Sequence, residues 1–482
     1  MKRKCLALLL ALLLLLPGCG SEPASENDPS VPAPAADVQE ETAEEKVPEE
    51  TDILEAMPDS DLGGKVFRML GVSYPTRRNF PAEEDAGEIV NDALAKRDLD
   101  VCERLNIVIQ TQAEPDAATV LKIVSDSVVA GDDLCDVIIS DIASSLINLM
   151  NSKSLYDLRQ MNNLSLQEKW WSYGMYENAT IGGKQYITMG DISPMKYYAP
   201  YCLAYNQKLA KDYGHSDLYE EVLTGKWTID LFNSMLKDVN RDLDGDGDID
   251  DLDFHGYAHV PTDITAWAHY TGAGQVLSTV DKDGMIVIPI GSDTSVSVIE
   301  TLTEILGYSP NLSMGNVTMD MFVEDRALFY GNSYSGIIAN FRDMESDFSV
   351  IPTPKYNEQQ DQYYSFINTW CLGGVAVPVT CTDTDNIGLI METLCRASYL
   401  EVRPALYETT IKSKVARNEE NGQILDIIFD STYIDCNGLF NIGDSASVVC
   451  NAILGRAEFA SSYAAAQKKI NKSIEKLMEL GR

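Results

Sequence analysis

From residue 65 onward, short apolar runs alternate with amphipathic segments. "GKVFRMLGVS" is an apolar run of strand length, and in "GEIVNDALAKRDLDVCERLNIVI" the apolar residues Ile89, Ala93, Leu94, Leu99, Val101 and Leu105 recur at helical spacing before a strand returns in "LNIVIQTQ". The pattern repeats: "AATVLKIVSDSVVAGDD" reads as helix, "CDVIISD" as a buried strand, and "IASSLINLMNSKSLYDL" as helix again. Strands and helices alternating at this length predict an α/β domain with a largely parallel sheet, since a parallel connection needs a crossover long enough to hold a helix. Ligands of such sheets bind beyond the carboxyl ends of the strands, which points to the loops opening at Ser73-Tyr74 and at Ser140-Asp141.

Downstream, "GKQYITMGDI" and "YYAPYCLAYNQKLAKDYG" predict strand, strand and helix. A helix starts at Thr228, with Phe232, Met235, Leu236 and Val239 on one face. Beyond Met285 come a short strand "MIVIPI", a helix around "SVSVIETLTEILGY", a strand "RALFYGN", and helices to the end, with no internal repeat.

The N-terminus obeys a different pattern. "MKRKCLALLLALLLLLPGCGSEP" has a basic flank, a leucine-rich run from Leu6 to Leu16 too short for a comfortable membrane span, and Gly18 before Cys19. It resembles the lipobox of bacterial lipoproteins, which implies cleavage of residues 1–18 and lipidation of Cys19; a plain secretory signal is the simpler alternative. Residues 19–58, rich in Pro, Ala and Glu, cannot bury enough apolar surface to offset the entropy of ordering, and predict a mobile acidic tether.

Charge narrows the partners. Lys and Arg number 37 against 74 Asp and Glu, a formal net charge of −37, so nucleic acid is excluded as a partner by the field of the whole molecule. Of the ten cysteines, Cys5 lies in the signal and Cys19 is the lipidation site. The other eight (Cys102, Cys135, Cys202, Cys371, Cys381, Cys395, Cys436 and Cys450) are scattered without a C-x-x-C pair and read as buried thiols or as a disulfide framework, not as a zinc site.

The stretch "RDLDGDGDIDDLDFHGY" carries the clearest chemistry. On a twelve-residue calcium loop, Asp242, Asp244 and Asp246 take ligand positions one, three and five, and Gly247 the sharp turn at six. Asp248 offers a backbone carbonyl at seven, Asp250 acts through water at nine, and Asp253 closes the loop where a bidentate glutamate is usual. A helix enters the loop but "FHGYAHV" leaves it as strand, so no second helix exists to swing open. Ca²⁺ here is expected to be structural rather than sensory.

Spread over residues 60 to 450, "GEIVNDALAKRDLDVCERLNI", "AGDDLCDVIISD" then "SLYDL", "GGKQYITMGDIS", "LAYNQKLAKDYG", "LYEEVLTGKWTID", "MFVEDRALFYGN", "VIPTPKYNEQQDQYYS", "WCLGGVAVP" and "IKSKVARNEENGQILDIIFD" follow one another in a recognisable order. In these segments the chain resembles the extracellular solute-binding lipoproteins of ABC importers, family 1, the maltose-binding-protein-like carbohydrate type. The resemblance implies a type II periplasmic-binding-protein-like fold, with lobe one at 59–200 plus 374–408 and lobe two at 201–373 plus 409–482. The lobes would be hinged near Tyr198 to Ala204, Phe366 to Gly374 and Ile411. It implies a monomer on the outer face of the cytoplasmic membrane that hands a carbohydrate to ABC permease subunits. A sugar site needs aromatic faces and fixed polar groups, which makes Trp370 and Trp267 the first candidates, followed by Tyr74, Asp141, Asp263 and Tyr334. Trp170, Trp171 and Trp227 read as packing.

No catalytic residues are assigned. There is no nucleophile elbow, phosphate loop or H-E-x-x-H, and the His255/His259 pair in "HGYAH" sits in strand-like sequence that cannot put both imidazoles on one helix face. A glycan-active enzyme using two carboxylates and a peptide-binding cleft remain the alternatives.

Overall fold

β1 (Lys65–Val72) is the axis of the first sheet. The computed structural model describes residues 60–74, 78–215, 218–237, 239–259, 262–307, 317–341, 344–368, 373–412, 419–434 and 436–481; Cys19, the acidic tether and Trp370 lie outside them. β1 pairs in parallel with β2 (Ile107–Glu114) from Lys65↔Ile107 to Val72↔Glu114, and with β3 (Val137–Asp141) from Met69↔Val137. Gly71 is required there: a Cβ at this position would lie 2.3 Å from the Ile139 carbonyl oxygen. The crossover helix Ile89–Leu105 ends at Asn106 in the left-handed region (φ 48°). The next, Ala117–Ala130, starts with the Asp116 carboxylate accepting the Thr119 N–H at 2.8 Å and stops at Gly131 (φ 75°).

The second sheet is built on β4 (Tyr201–Asn206), buried along its whole length. With β5 (His255–Ala258), β8 (Ala327–Ser333) and β9 (Phe348–Ile351) the order is β5-β8-β4-β9, while β6 (Thr279–Val280) and β7 (Ile286–Val287) form a separate antiparallel hairpin. β4 runs antiparallel to β8 and β9, and β5 parallel to β8. Trp227 is fully buried against Phe232 and Phe329 and donates its Nε1–H to the Pro352 carbonyl at 2.8 Å, the packing role expected of it. His255 opens a strand, so the His255/His259 pair is not helical.

Three further strands complete the pairing. β10 (Ser365–Phe366) pairs in parallel with β12 (Thr432–Tyr433), while β11 (Gly373–Ala376) joins the first sheet antiparallel to β3 from Gly373↔Asp141. The first sheet is therefore parallel in its body with one antiparallel edge, in the order β11-β3-β1-β2. Where the chain enters β4, Pro200 bridges Ile367, so two connecting segments lie side by side. The helix Thr384–Lys412 serves both regions: Ile390 and Leu394 join the cluster of Phe67 and Ile139, and Val402 and Leu406 that of Leu203. The C-terminal helix Phe459–Leu480 buries Ile470 and Leu477 beside Leu70 and Ile138.

One expected strand does not form. In "GKQYITMGDI" Thr188 makes a single rung with Val375, after which Gly190 lies against the Trp171 ring, where a Cβ would be 2.4 Å from the indole. The segment bends to seat that indole instead of extending the sheet. The seven described cysteines carry free thiols; Cys371 lies outside the described residues. Among the described residues no helix is long and apolar enough to cross a membrane.

Candidate functional site

A cavity of about 580 Å³, within the size range of small-ligand sites, opens where four segments converge. The first is Lys169–Asn178, whose helix Tyr173–Asn178 is capped by the Ser172 hydroxyl accepting from the Met175 N–H at 3.3 Å. The second contributes Lys196, the third Gln362 and Tyr364 just before β10, and the fourth Tyr399 and Arg403 of the long helix with Phe429–Tyr433 running into β12. The β10–β12 pairing holds the last two walls together, helped by the Ser365 N–H donating to the Ser431 carbonyl at 2.9 Å.

The rings are fixed from behind. Trp170 and Trp171 both donate their indole N–H to Glu392, each at 2.8 Å, and Arg396 donates to the same carboxylate at 3.1 Å while lying 4.5 Å over the Trp170 ring. Tyr364 and Tyr433 meet edge to face with centroids 5.8 Å apart. Tyr173, by contrast, is 59% exposed, an aromatic face left open to solvent at the mouth.

Charge is buried in the same wall. Lys196 donates to Asp191 at 2.5 Å, and the Tyr197 hydroxyl donates to the same oxygen at 2.8 Å. Burial pushes the Asp191 carboxyl above its ordinary range, against the opposing pull of Lys196 and Tyr197. Arg403 donates through Nη2 to Asp426 and Asp430, both at 2.9 Å, and through Nε to the Tyr407 hydroxyl at 3.1 Å. Aromatic faces beside fixed polar and charged groups form a surface for the C–H faces and hydroxyl rim of a polar organic solute.

Among the described residues, none of the candidates singled out in the sequence lines this cavity. Tyr74 and Asp141, at the carboxyl ends of neighbouring strands, are joined by a 2.7 Å bond from the tyrosine hydroxyl to the carboxylate. Trp267 is half-buried and tilted against Phe366 at 5.0 Å, and Phe366 pairs with the cavity residue Tyr433. Tyr334 is buried, its ring edge-on to Phe429 at 5.2 Å, one layer behind the wall. Asp263 lies at the start of the helix Asp263–Gly272 and pairs on the surface with Arg456 at 3.0 Å. Trp170 and Trp171 pack as expected, yet Trp171 also shows an edge to the cavity. Tyr173, Lys196, Tyr399 and Arg403 were missed; the aromatic density of "KWWSYGMY" was the available signal.

In the aspartate loop, the carboxylates of Asp242, Asp244 and Asp246 lie within 4.8 Å of one another and face solvent. Backbone N–H donation from Asp246 lowers the Asp244 carboxyl, but burial and the charges of Asp246, Asp253 and Asp242 outweigh it and leave the group raised. Asp253 is buried and accepts the Leu243 and Asp250 N–H groups at 2.7 and 2.8 Å, so it clamps the loop backbone rather than joining the three. Asp250 accepts the Leu252 N–H at 2.8 Å, and Asp248 stands outside the group of three. The exchanged bonds of Arg241 and Phe254, both 3.1 Å, close the base. Three hard oxygen donors around a turn at Gly247 (φ 92°) fit a Ca²⁺ ion in ligand type.

No protein-family model and no curated protein matches this chain. Its fold, however, is similar to that of solved structures. UspC of M. tuberculosis aligns with a TM-score of 0.52 at 15% identity, covering 85% of this chain and 100% of that one. A family 1 extracellular solute-binding protein from Bifidobacterium longum subsp. infantis aligns at 0.51 and 14%, again over 85% and 100%. The chain thus has the α/β, two-lobed fold of solute-binding proteins expected from its sequence.

Proposed function

We propose that this chain is an extracellular solute-binding protein that captures a carbohydrate, in the main an oligosaccharide, and delivers it to an ABC import permease. The observation that carries the reading is the cavity of about 580 Å³, walled by tyrosines and buried charged groups, in a fold similar to a family 1 extracellular solute-binding protein. Pro200 and Ile367, paired between the two sheets, are the natural hinge about which the lobes would close over the ligand. Lipidation of Cys19 would hold the protein at the outer face of the membrane, and residues 19–58 would let it swing to the permease. Asp242, Asp244 and Asp246 would hold a structural Ca²⁺ that pins the loop leading into β5.

The test is a thermal melt of the calcium-loaded chain against oligosaccharides, monosaccharides and peptides, with each mixture analysed for breakdown products. A ligand at 100 times its Kd stabilises the fold by about 2.7 kcal/mol, enough to register. A dose-dependent rise with one sugar class and an intact ligand supports the proposal. A rise only with peptides, or a consumed sugar, moves the function to peptide capture or to glycan chemistry.

A further inference from the structure

The cavity gathers cations in a chain that has twice as many acids as bases. Lys169 Nζ stands 4.5 Å from the centroid of the Tyr399 ring, and Arg403 Cζ stands 5.2 Å from the same ring. Arg403 is also 5.8 Å from the Tyr197 ring, and Lys196 Nζ is 5.2 Å from it. Two shared rings therefore string Lys169, Arg403 and Lys196 into one row along the wall.

Two of the three are deeply buried: Lys196 is 6% exposed and Arg403 8%. Holding such charges away from water is costly unless partners compensate, and their partners leave donors unused. Nη2 and Nε of Arg403 are engaged by Asp426, Asp430 and Tyr407, but Nη1 makes no hydrogen bond to a described residue. The Lys196 ammonium has three hydrogens and gives one bond, to Asp191. Lys169 makes no hydrogen bond or ion pair with a described residue and only faces Tyr399. Two acids share the wall: Asp430 is bound to Arg403, and Glu177 is exposed to solvent.

Beyond Asp191, Asp426 and Asp430, the spare donors of the row, Arg403 Nη1 and two Lys196 hydrogens, meet no acceptor among the described residues. We infer that the cavity takes a carboxylated sugar, a uronic acid residue of an oligosaccharide, whose carboxylate meets Arg403 Nη1 and Lys196 while its ring lies by the tyrosines. This rests on the carbohydrate reading above and specifies its substrate class. A carboxylate is preferred over a neutral hydroxyl because bonds between ionised partners are about twice as strong as neutral ones. Lys169, at the exposed end, would steer the acid inward against the negative field of the rest of the molecule.

The experiment is calorimetric titration of the full chain with di- and trisaccharides of galacturonate, glucuronate and mannuronate, beside the neutral galactose, glucose and mannose counterparts and one sulfated oligosaccharide. At least one uronate is expected to bind more tightly than its neutral counterpart by about 10-fold or more, weakening as salt rises. Lys169→Gln should weaken that uronate by about 3-fold and leave neutral sugars unmoved, as befits one exposed charge. Arg403→Lys, which keeps the charge, should weaken it by about 30-fold while a melt in the absence of ligand reports whether the fold survives. Neutral sugars binding as well as uronates would overturn the inference and leave the binding-protein reading standing. Preference for the sulfated sugar would overturn the carboxylate assignment. Binding of no saccharide at all would sink both readings.

Discussion

Glu392 is the most exacting place to test the packing behind the cavity. Its buried carboxylate accepts four hydrogen bonds: from the Trp170 and Trp171 indoles at 2.8 Å each, from the Ser165 N–H at 3.1 Å and from Arg396 Nε at 3.1 Å. Glu392→Ala strands two indole N–H groups, both in buried tryptophans, and removes one partner of Arg396. An orphaned buried donor costs about 1–3 kcal/mol, so two indoles alone predict about 4 kcal/mol of destabilisation. Glu392→Gln keeps one acceptor oxygen and should lose about half as much. The unit Glu49–Arg482 has roughly 430 residues, for which unfolding entropy is about 0.9 kcal/mol per kelvin, so Glu392→Ala should lower Tm by about 4–5 °C. Urea unfolding followed by tryptophan fluorescence reads the same loss directly, with Trp170 and Trp171 as reporters. If Glu392→Ala unfolds at the wild-type urea midpoint, within about 0.5 kcal/mol, the carboxylate does not hold the two indoles and the rigid wall beneath the cavity is wrong.

Other perturbations follow from the same physical terms. Gly71→Ala should destabilise by more than about 3 kcal/mol, since the new methyl meets the Ile139 carbonyl at 2.3 Å and the Phe80 ring at 3.1 Å; a wild-type melt would contradict the close approach of β1 and β3. Burial lowers the His269 imidazole to about 4, so the unfolded chain binds the extra proton first as pH falls below about 6.5. Stability should drop across that window, by about 3 kcal/mol once pH is below 4, and His269→Gln should remove this part of the slope; parallel pH profiles would refute it. If the aspartate loop binds Ca²⁺ with a Kd of about 10⁻⁴ to 10⁻³ M, 10 mM Ca²⁺ should stabilise the chain by about 1.4–2.7 kcal/mol over a chelator control. Asp246→Asn should abolish most of that rise, and an equal rise in the variant would remove the loop from the account.

The alternation of strands and helices that built the first sheet was legible because β3 and most of β1 are buried apolar runs and its helices carry clean stops, such as Asn106 and Gly131. The antiparallel β11 was not, since its partner β3 lies more than two hundred residues away and nothing local in "WCLGGVAVP" marks direction. "GKQYITMGDI" reads as a strand locally, but the Trp171 ring against Gly190 decides its path. Tyr74 and Asp141, read from loops after strands, do meet there. The cavity is instead walled by the Lys169–Asn178 segment, the middle of the helix Thr384–Lys412 and the chain running into β12, brought together only by tertiary contacts. Tyr399 and Arg403 lie on a helix whose periodicity announces packing, and only the fold turns them to a shared space.

A saccharide bound as proposed would lie among these rings. Calorimetric titration of the tightest-binding sugar from the melt panel into the wild-type chain and into Tyr173→Ala tests it most directly, because Tyr173 is 59% exposed and its loss leaves the core intact. One-site binding to the wild type, weakened about 5- to 10-fold in the variant with an unchanged melt of the free protein, is the expected result for the loss of one stacking face. Equal affinity in both proteins would place the ligand elsewhere and contradict the account.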